Sequence, residues 1–376
     1  MNPFRLGFIG GDLDSAVGYA HFAACRMDRR WSLEAGFFSP QKALNQQTAE
    51  AYGVPRAHLH YDFHTFLDKE KKNLDAVSIL SPTPLHKSMV ADCLRVGIPV
   101  ICEKALAVSS RDILELESYQ SKTRGFLAVI YNYSGYPMVR EMRRLIRTGK
   151  LGKILHFQAE MPQEGYMRTD SEGRKPKVQS WRLRDVAVPT IHLDLGVHLH
   201  QLIRYLTELK PREVVADHGK FGWFRVVDQV ISMTRYDQGA QGAVWFSKTA
   251  LGHRNGLRLR IYGSKASAEW AQMNPEELLI SHGDGRREIL DRGVGLPLAS
   301  KPRYNRFKAG HPSGFVEALS NLYADIHTAL KLYHKTGRQQ SEEVFGATMA
   351  LDGLNWLEAM VRSTRSKKWE KVSGVR

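Results

Sequence analysis

Short β-branched or apolar runs alternate with longer amphipathic stretches through the first 130 residues, and few folds accommodate that rhythm. It is the mark of a parallel sheet whose strands are joined by crossover helices. The spacing predicts strands at Phe4–Ile9, Leu33–Phe38, Asp75–Leu80, Val100–Cys102 and Phe126–Ile130. Helices are expected near Ala16–Asp28, Lys42–Tyr52, Leu85–Val96 and Asp112–Ser121. A doubly wound sheet of this kind takes its ligand at the carboxyl ends of its strands.

Past Tyr131 the pattern changes. One helix, Met138–Arg147, precedes strand-like runs at Ile154–Met161, Val214–His218, Gln229–Tyr236, Gln241–Phe246, Leu257–Tyr262, Ala266–Trp270 and Leu278–Ser281. Turn residues such as Asp237-Gln238-Gly239 separate several of them, as antiparallel hairpins require. A helical stretch at Thr190–Leu206 interrupts the series, and helices return at Gly314–Tyr333 and Val344–Ser363. The reading is an α/β chain with a doubly wound domain over 1–130. A second α+β domain over 131–376 carries a mainly antiparallel, open sheet with helices against one face.

At 376 residues the chain exceeds the size of a single hydrophobic core, which agrees with two domains. Hydrophobic residues make up 43% and charged residues 25%, so a disordered, fibrous or membrane chain is not suggested. No apolar run approaches the length of a spanning helix, and Met1–Gly10 lacks the basic region and cleavage site of a secretory leader. Cys25, Cys93 and Cys102 form neither a disulfide framework nor a zinc knuckle, and a reducing, cytoplasmic setting fits best. The net charge of +15 favours anionic partners. Its densest pieces, Arg168–Arg184 and Lys301–Lys308, contain no nucleic-acid module, so neither nucleic acid nor a membrane is expected as a partner.

The run Gly7-Phe8-Ile9-Gly10-Gly11-Asp12-Leu13-Asp14-Ser15-Ala16-Val17-Gly18 follows a strand and opens a helix, the setting of a dinucleotide fingerprint. Gly10 suits the tight turn and Gly18 the close helix–strand packing, which points to a Rossmann domain. Asp12 and Asp14 place carboxylates where a pyrophosphate approaches, and they repel it unless they turn outward. A plain strand-to-helix turn is the alternative. The end of the second strand, Phe38-Ser39-Pro40-Gln41-Lys42, lacks the acid that grips the adenosine ribose of NAD. Ser39 and Lys42 are placed to receive a 2′-phosphate, which tilts the reading toward NADP over NAD. A helix cap at Ser39-Pro40 explains the same residues.

Glu103-Lys104 follow a buried strand and emerge where such a fold holds its active site, although an ordinary surface pair reads the same way. A lysine there is suited to holding a substrate hydroxyl and stabilising the alkoxide that develops. In His192-Leu193-Asp194-Leu195-Gly196-Val197-His198-Leu199-His200-Gln201, a metal site and a proton-transfer site compete. At about 3.6 residues per turn, Asp194, His198 and Gln201 share a helix face while His192 and His200 point elsewhere. That face suits His198 as a base, with Asp194 orienting its ring or binding a neighbouring hydroxyl, and no metal is expected. Gly196 in mid-helix makes sense where another backbone or a cofactor passes close by. For His192 and His200 a satisfied core histidine is the better reading.

The whole chain resembles the glucose-fructose oxidoreductase and inositol dehydrogenase family, Gfo/Idh/MocA. The carriers are Gly10-Gly11 with Gly18 and His21, Ser81-Pro82-Thr83-Pro84-Leu85-His86, Glu103-Lys104, Asn132-Tyr133-Ser134-Gly135-Tyr136-Pro137, Trp181-Arg182 and Asp194-Leu195-Gly196-Val197-His198. Further on, Ile261-Tyr262-Gly263-Ser264-Lys265 and Gly310-His311-Pro312 resemble stretches of one branch of the family. The resemblance implies hydride transfer between NAD(P) and a sugar or cyclitol carbon, in a homodimer or homotetramer built on the open sheet faces.

By motif matching, Lys104, Asp194 and His198 fall on the catalytic lysine, aspartate and histidine. Gly10, Gly11, Asp12, Val17 and Gly18 fall in the phosphate loop. Ser81, Pro82, His86 and Glu103 lie in segments beside the cofactor, and Tyr133 with Trp181-Arg182 in substrate-facing ones. Three departures stand out: Ala105 replaces the usual proline, Thr83 stands where asparagine is common, and Asp12 takes a position that is normally glycine. The expected substrate is a sugar, polyol or sugar derivative, and the basic charge tilts this toward an anionic one. Two alternatives use the same scaffold: redox-neutral, NAD-dependent elimination or glycoside cleavage, and a non-catalytic sugar-binding protein with an impaired cofactor loop.

Overall fold

The computed structural model describes Pro3–Gly374; Met1 and Asn2, where the leader reading begins, lie outside it. The chain divides into two compact units, one running to Gly135 and joined by Gly314–Ala350, the other comprising Tyr136–Ser313 and the chain from Leu351 onward.

In the first unit β1 (Phe4–Gly10), α1 (Gly18–Arg26), β2 (Trp31–Phe37), α2 (Lys42–Tyr52), α3 (Phe63–Glu70), β3 (Ala76–Leu80), α4 (His86–Arg95), β4 (Val100–Glu103), α5 (Ser110–Thr123) and β5 (Leu127–Ile130) follow in order. The strands form one parallel sheet, β2-β1-β3-β4-β5, the expected doubly wound arrangement. Its strand order reverses between β1 and β3, so a ligand crevice opens at the ends of those two strands. Every residue of β3 is buried, as a strand covered on both faces requires.

Packing, rather than position in the sequence, decides where the long helix Phe315–Thr336 belongs. The sequence reading puts this stretch in the second domain, over 131–376, yet it is part of the first unit. Leu319, Leu322, Tyr323, Ile326 and Leu330 on one stripe join Leu6, Phe8, Trp31 and Ile101 in a single core. The Trp31 indole donates to Tyr323 O (3.0 Å), and Asn321 Nδ2 to Gly135 O (2.9 Å). The packing leaves no room at Gly135, where an added Cβ would lie 2.0 Å from Ala318 O.

In the second unit α6 (Pro137–Arg147) buries Met138, Val139, Met142 and Leu145. It precedes β6 (Ile154–Pro162), then, beyond a helix of mixed pitch, β7 (Pro211–Gly219), β8 (Gln229–Tyr236), β9 (Gln241–Ser247), β10 (Arg258–Gly263), β11 (Ala266–Ala271), β12 (Asn274–His282), β13 (Arg287–Leu290) and β14 (Glu370–Lys371). The sheet order is β13-β12-β11-β10-β6-β9-β8-β7-β14. Pairing is antiparallel except between β6 and β9; the intervening helix carries the chain from β6 across to β7, from which β8 and β9 return antiparallel to lie beside β6. Along β8, Val230, Ser232, Thr234 and Tyr236 face inward, while Ile231 and Met233 on the other face are 52% and 56% exposed. Among the described residues no helix is long and apolar enough to cross a membrane.

Candidate functional site

The predicted residues fall on both units, and each group is built by its own elements. In the first unit the glycine loop leaves β1 through Gly10 (φ +83°) and Gly11 (φ +78°), conformations that only glycine adopts without strain. An added Cβ on Gly18 would sit 2.3 Å from Gly11 O, so α1 starts directly against the loop. The amides of Val17 and Gly18 donate to Ser15 Oγ (3.4 and 3.2 Å). Asp14 is exposed, whereas the half-buried Asp12 accepts a hydrogen bond from the Ser39 hydroxyl at the end of β2. Burial raises the Asp12 pKa above the usual carboxylate value. Ser39 is buried, and the Lys42 ammonium lies 5.9 Å from the Tyr61 ring centroid.

At the neighbouring strand ends, His86 Nδ1 and Nε2 face the carbonyls of Ala105 and Ser81, both at 2.7 Å. The buried ring therefore braces the Ser81-Pro82 segment against the chain that follows Lys104. Burial lowers its pKa despite the two carbonyls, and a neutral imidazole donates to only one of them. Glu103 Oε1 lies 2.9 Å from His21 Nε2, while Glu103 Oε2 accepts from the Lys104 amide (3.1 Å). His21 Nδ1 continues the chain to the Tyr323 hydroxyl (2.8 Å), which reaches Ser78 Oγ (3.0 Å). Glu103 is thus the first link of a buried polar network under Lys104, rather than half of a surface pair. The Lys104–Ala105 peptide is cis. Tyr133 and Asn132 lie buried in the turn after β5, and neither Asn132 side-chain atom has a hydrogen-bond partner in the protein.

These features fit a dinucleotide. The left-handed glycines and the Gly11–Gly18 approach make a cradle that any Cβ would fill, and the loop carboxylates turn outward or toward Ser39. The orphaned Asn132 amide offers a donor and an acceptor at the carboxyl end of the sheet.

In the second unit the expected regular helix over Thr190–Leu206 contains a π turn at His192–Gly196, followed by α7 (Val197–Thr207). Such turns carry i→i+5 hydrogen bonds, are costly, and recur at functional sites. Asp194 sits inside it, with His198 in the first turn of α7. Asp194 Oδ2 is held by Arg182 Nη1 (2.5 Å) and by Lys248 Nζ. The Arg182 guanidinium also stacks on Trp181, 4.5 Å from a ring centroid. Lys248 directly follows β9, and its ammonium lies 5.1 Å from the Tyr166 ring centroid. The Tyr166 hydroxyl donates to Arg182 O (3.4 Å), and burial followed by the Asp194 charge pushes its pKa up.

The motif reading omits Lys248 and Tyr166. Lys248 carries a usable signal, a charged residue directly after a buried strand, the same signal that Glu103-Lys104 carries. At Gly196 the close neighbours are the side chains of Leu357 (2.7 Å from an added Cβ) and Phe246 (3.3 Å), so the small residue makes room for core side chains rather than for another backbone.

His192 packs against His218 and Phe246, with ring centroids 4.7 and 5.3 Å away, and His200 lies beside Trp356 at 5.7 Å. Among the described residues, no group of three or more His, Cys, Asp or Glu side chains is placed to hold a metal ion. Burial lowers the pKa of His192 and takes that of His200 down from 6.5 to about 3. A depressed folded-state pKa means that the unfolded chain binds more protons below pH 6.5, so stability falls as pH drops from there. Between pH 6.5 and about pH 5 the loss from His200 is expected to be about 2 kcal/mol, before carboxylates titrate. Melting temperature against pH checks this, and His200→Gln should flatten the decline; a flat profile in the unaltered protein would rule it out.

Residues 4–131 match the model of a family described as oxidoreductases with an NAD-binding Rossmann fold, and residues 139–269 match the GFO/IDH/MocA C-terminal domain. An uncharacterized oxidoreductase of Bacillus subtilis, YfiI, is 28% identical over 96% of this chain and 94% of its own. Levoglucosan dehydrogenase of Pseudarthrobacter phenanthrenivorans is 24% identical over 75% of this chain and 77% of its own. The crystal structure of an inositol dehydrogenase homolog from Azotobacter vinelandii, complexed with NAD+, superposes with a TM-score of 0.90 at 25% identity, covering 98% of this chain and 97% of that one.

Proposed function

Because the chain belongs to the GFO/IDH/MocA oxidoreductase family, we propose that it transfers hydride between NAD(P) and a secondary hydroxyl or keto carbon of a sugar, polyol or sugar derivative. The observation that carries this reading is the Asp194 carboxylate held by Arg182 and Lys248 within a π turn, one helical turn before His198. A fixed carboxylate beside a histidine is what proton transfer from a hydroxyl requires. The names of the levoglucosan and inositol relatives support the polyol class.

His198 takes the substrate hydroxyl proton, and Asp194 orients the groups around it. Lys104 is suited to holding a substrate hydroxyl and stabilising the developing alkoxide, with the Glu103–His21–Tyr323 network fixing the strand end that carries it. A nicotinamide dinucleotide held by the Gly10, Gly11 and Gly18 cradle would supply the hydride acceptor. Trp181 and Arg182 on the second unit, and Tyr133 on the first, are assigned to substrate binding. The positive charge of Arg182 and Lys248 is partly spent on Asp194, so the preference for an anionic sugar rests on the basic surface as a whole. A cytoplasmic homodimer or homotetramer fits the open sheet face that leaves Ile231 and Met233 exposed.

Incubating the purified protein with NAD+ or NADP+ and a panel of polyols and sugars, while following nicotinamide absorbance, tests the reading. Reduced cofactor should accumulate with at least one secondary alcohol. Sugar turnover without net cofactor reduction would instead assign redox-neutral elimination, and failure to bind either dinucleotide would overturn the oxidoreductase mechanism.

A further inference from the structure

The end of β2 carries no acid, yet a carboxylate reaches that place from another element. Asn45 Oδ1 accepts from the Phe38 and Ser39 amides (2.8 and 3.2 Å), while Asn45 Nδ2 donates to His60 O (2.8 Å). Ser39 is thereby fixed, 4% exposed, with its hydroxyl donating to Asp12. Asp12 is fixed from its own side: Oδ1 accepts from the Asp14 amide (3.2 Å) and its main-chain oxygen from Ser15 N (2.9 Å). The loop is pinned to α2 by Leu13 N donating to Thr48 Oγ1 and the Tyr52 hydroxyl to Gly11 O, each at 3.3 Å. The Tyr52 phenol has its pKa pushed up to about 12, by burial first and then by the Asp12 charge.

We propose that Asp12 takes the part of the missing β2 acid, accepting hydrogen bonds from the adenosine ribose hydroxyls beside Ser39 and excluding a 2′-phosphate, so that the chain selects NAD over NADP. The inference rests on the dinucleotide reading of the site and reverses the sequence tilt toward NADP. An ionised carboxylate only accepts hydrogen bonds, which suits a diol. A 2′-phosphate brings more than one negative charge against it, and the like-charge contact is unfavourable. Lys42, the cation that the sequence offers to that phosphate, lies over the Tyr61 ring.

Titration of the full-length protein with NADH and with NADPH, read by nicotinamide fluorescence, tests the proposal without any substrate. NADH should bind at least about tenfold more tightly than NADPH. Asp12→Asn keeps the volume and an amide oxygen to accept from Asp14 N, so the loop is retained. In that variant the NADH to NADPH preference should fall by about tenfold or more. Equal or tighter binding of NADPH by the unaltered protein overturns the assignment whether or not the variant folds, as does an unchanged preference in Asp12→Asn. Failure of both dinucleotides to bind is a different result, which removes the oxidoreductase mechanism and this inference with it.

Discussion

Alanine in place of His198 is expected to lower turnover by about 10²–10⁴-fold while leaving NADH affinity within about twofold, the signature of a lost general base. The argument is local. His198 occupies the first turn of α7 directly after the π turn, is 7% exposed, and belongs to the second unit, whereas the glycine cradle belongs to the first. Removing the imidazole therefore takes away a proton acceptor without touching Gly10, Gly11 or Gly18. Single-turnover hydride transfer in the variant, with cofactor binding measured separately by fluorescence, separates the two effects. A fully active variant would refute the base assignment, and equal losses in binding and turnover would make His198 a structural residue.

Asp194→Ala is expected to be severe for a different reason. The carboxylate is the shared partner of Lys248 and Arg182, whose side chains are 10% and 23% exposed. Removing one member of such a cluster leaves buried charge uncompensated, at a cost of about 3–5 kcal/mol. That corresponds to a fall in melting temperature on the order of 10 °C, together with loss of turnover. Asp194→Asn keeps the volume but not the charge and should lie between. Adding Lys248→Met to Asp194→Ala should recover part of the stability, because it removes the stranded ammonium. Melting within about 1 °C of the unaltered protein would mean that the cluster contributes no structural stability.

Not every element is equally legible in the chain. The β1 to β5 strands are, because buried parallel strands leave dense apolar runs flanked by turn residues. Helix α3, Phe63–Glu70, is not, since its buried set is only Phe66, Leu67 and Glu70 and gives little periodicity. The edge strands β13 and β14 also leave no pattern: Arg287, Glu288 and Ile289 are exposed, and β14 spans two residues. Strands held at one edge need no alternation. The π turn is equally invisible, because nothing in His192–Gly196 distinguishes i→i+5 from i→i+4 bonding before Leu357 and Phe246 pack against Gly196.

Local order is what the chain encodes by itself: two kinds of periodicity, the glycines at 10, 11 and 18, and the candidate Lys104, Asp194 and His198. Three matters needed tertiary structure. Helix Phe315–Thr336, distant in sequence, was assigned to the first unit by the apolar stripe it shares with β1 and β4. Lys248 was brought to Asp194 across 54 positions by the turn after β9. The Asp12 carboxylate, which in sequence threatens a pyrophosphate, was turned to Ser39 at the end of β2. Periodicity follows from the backbone geometry of neighbouring residues, whereas the direction of a charged side chain depends on which distant groups can satisfy it once water is excluded.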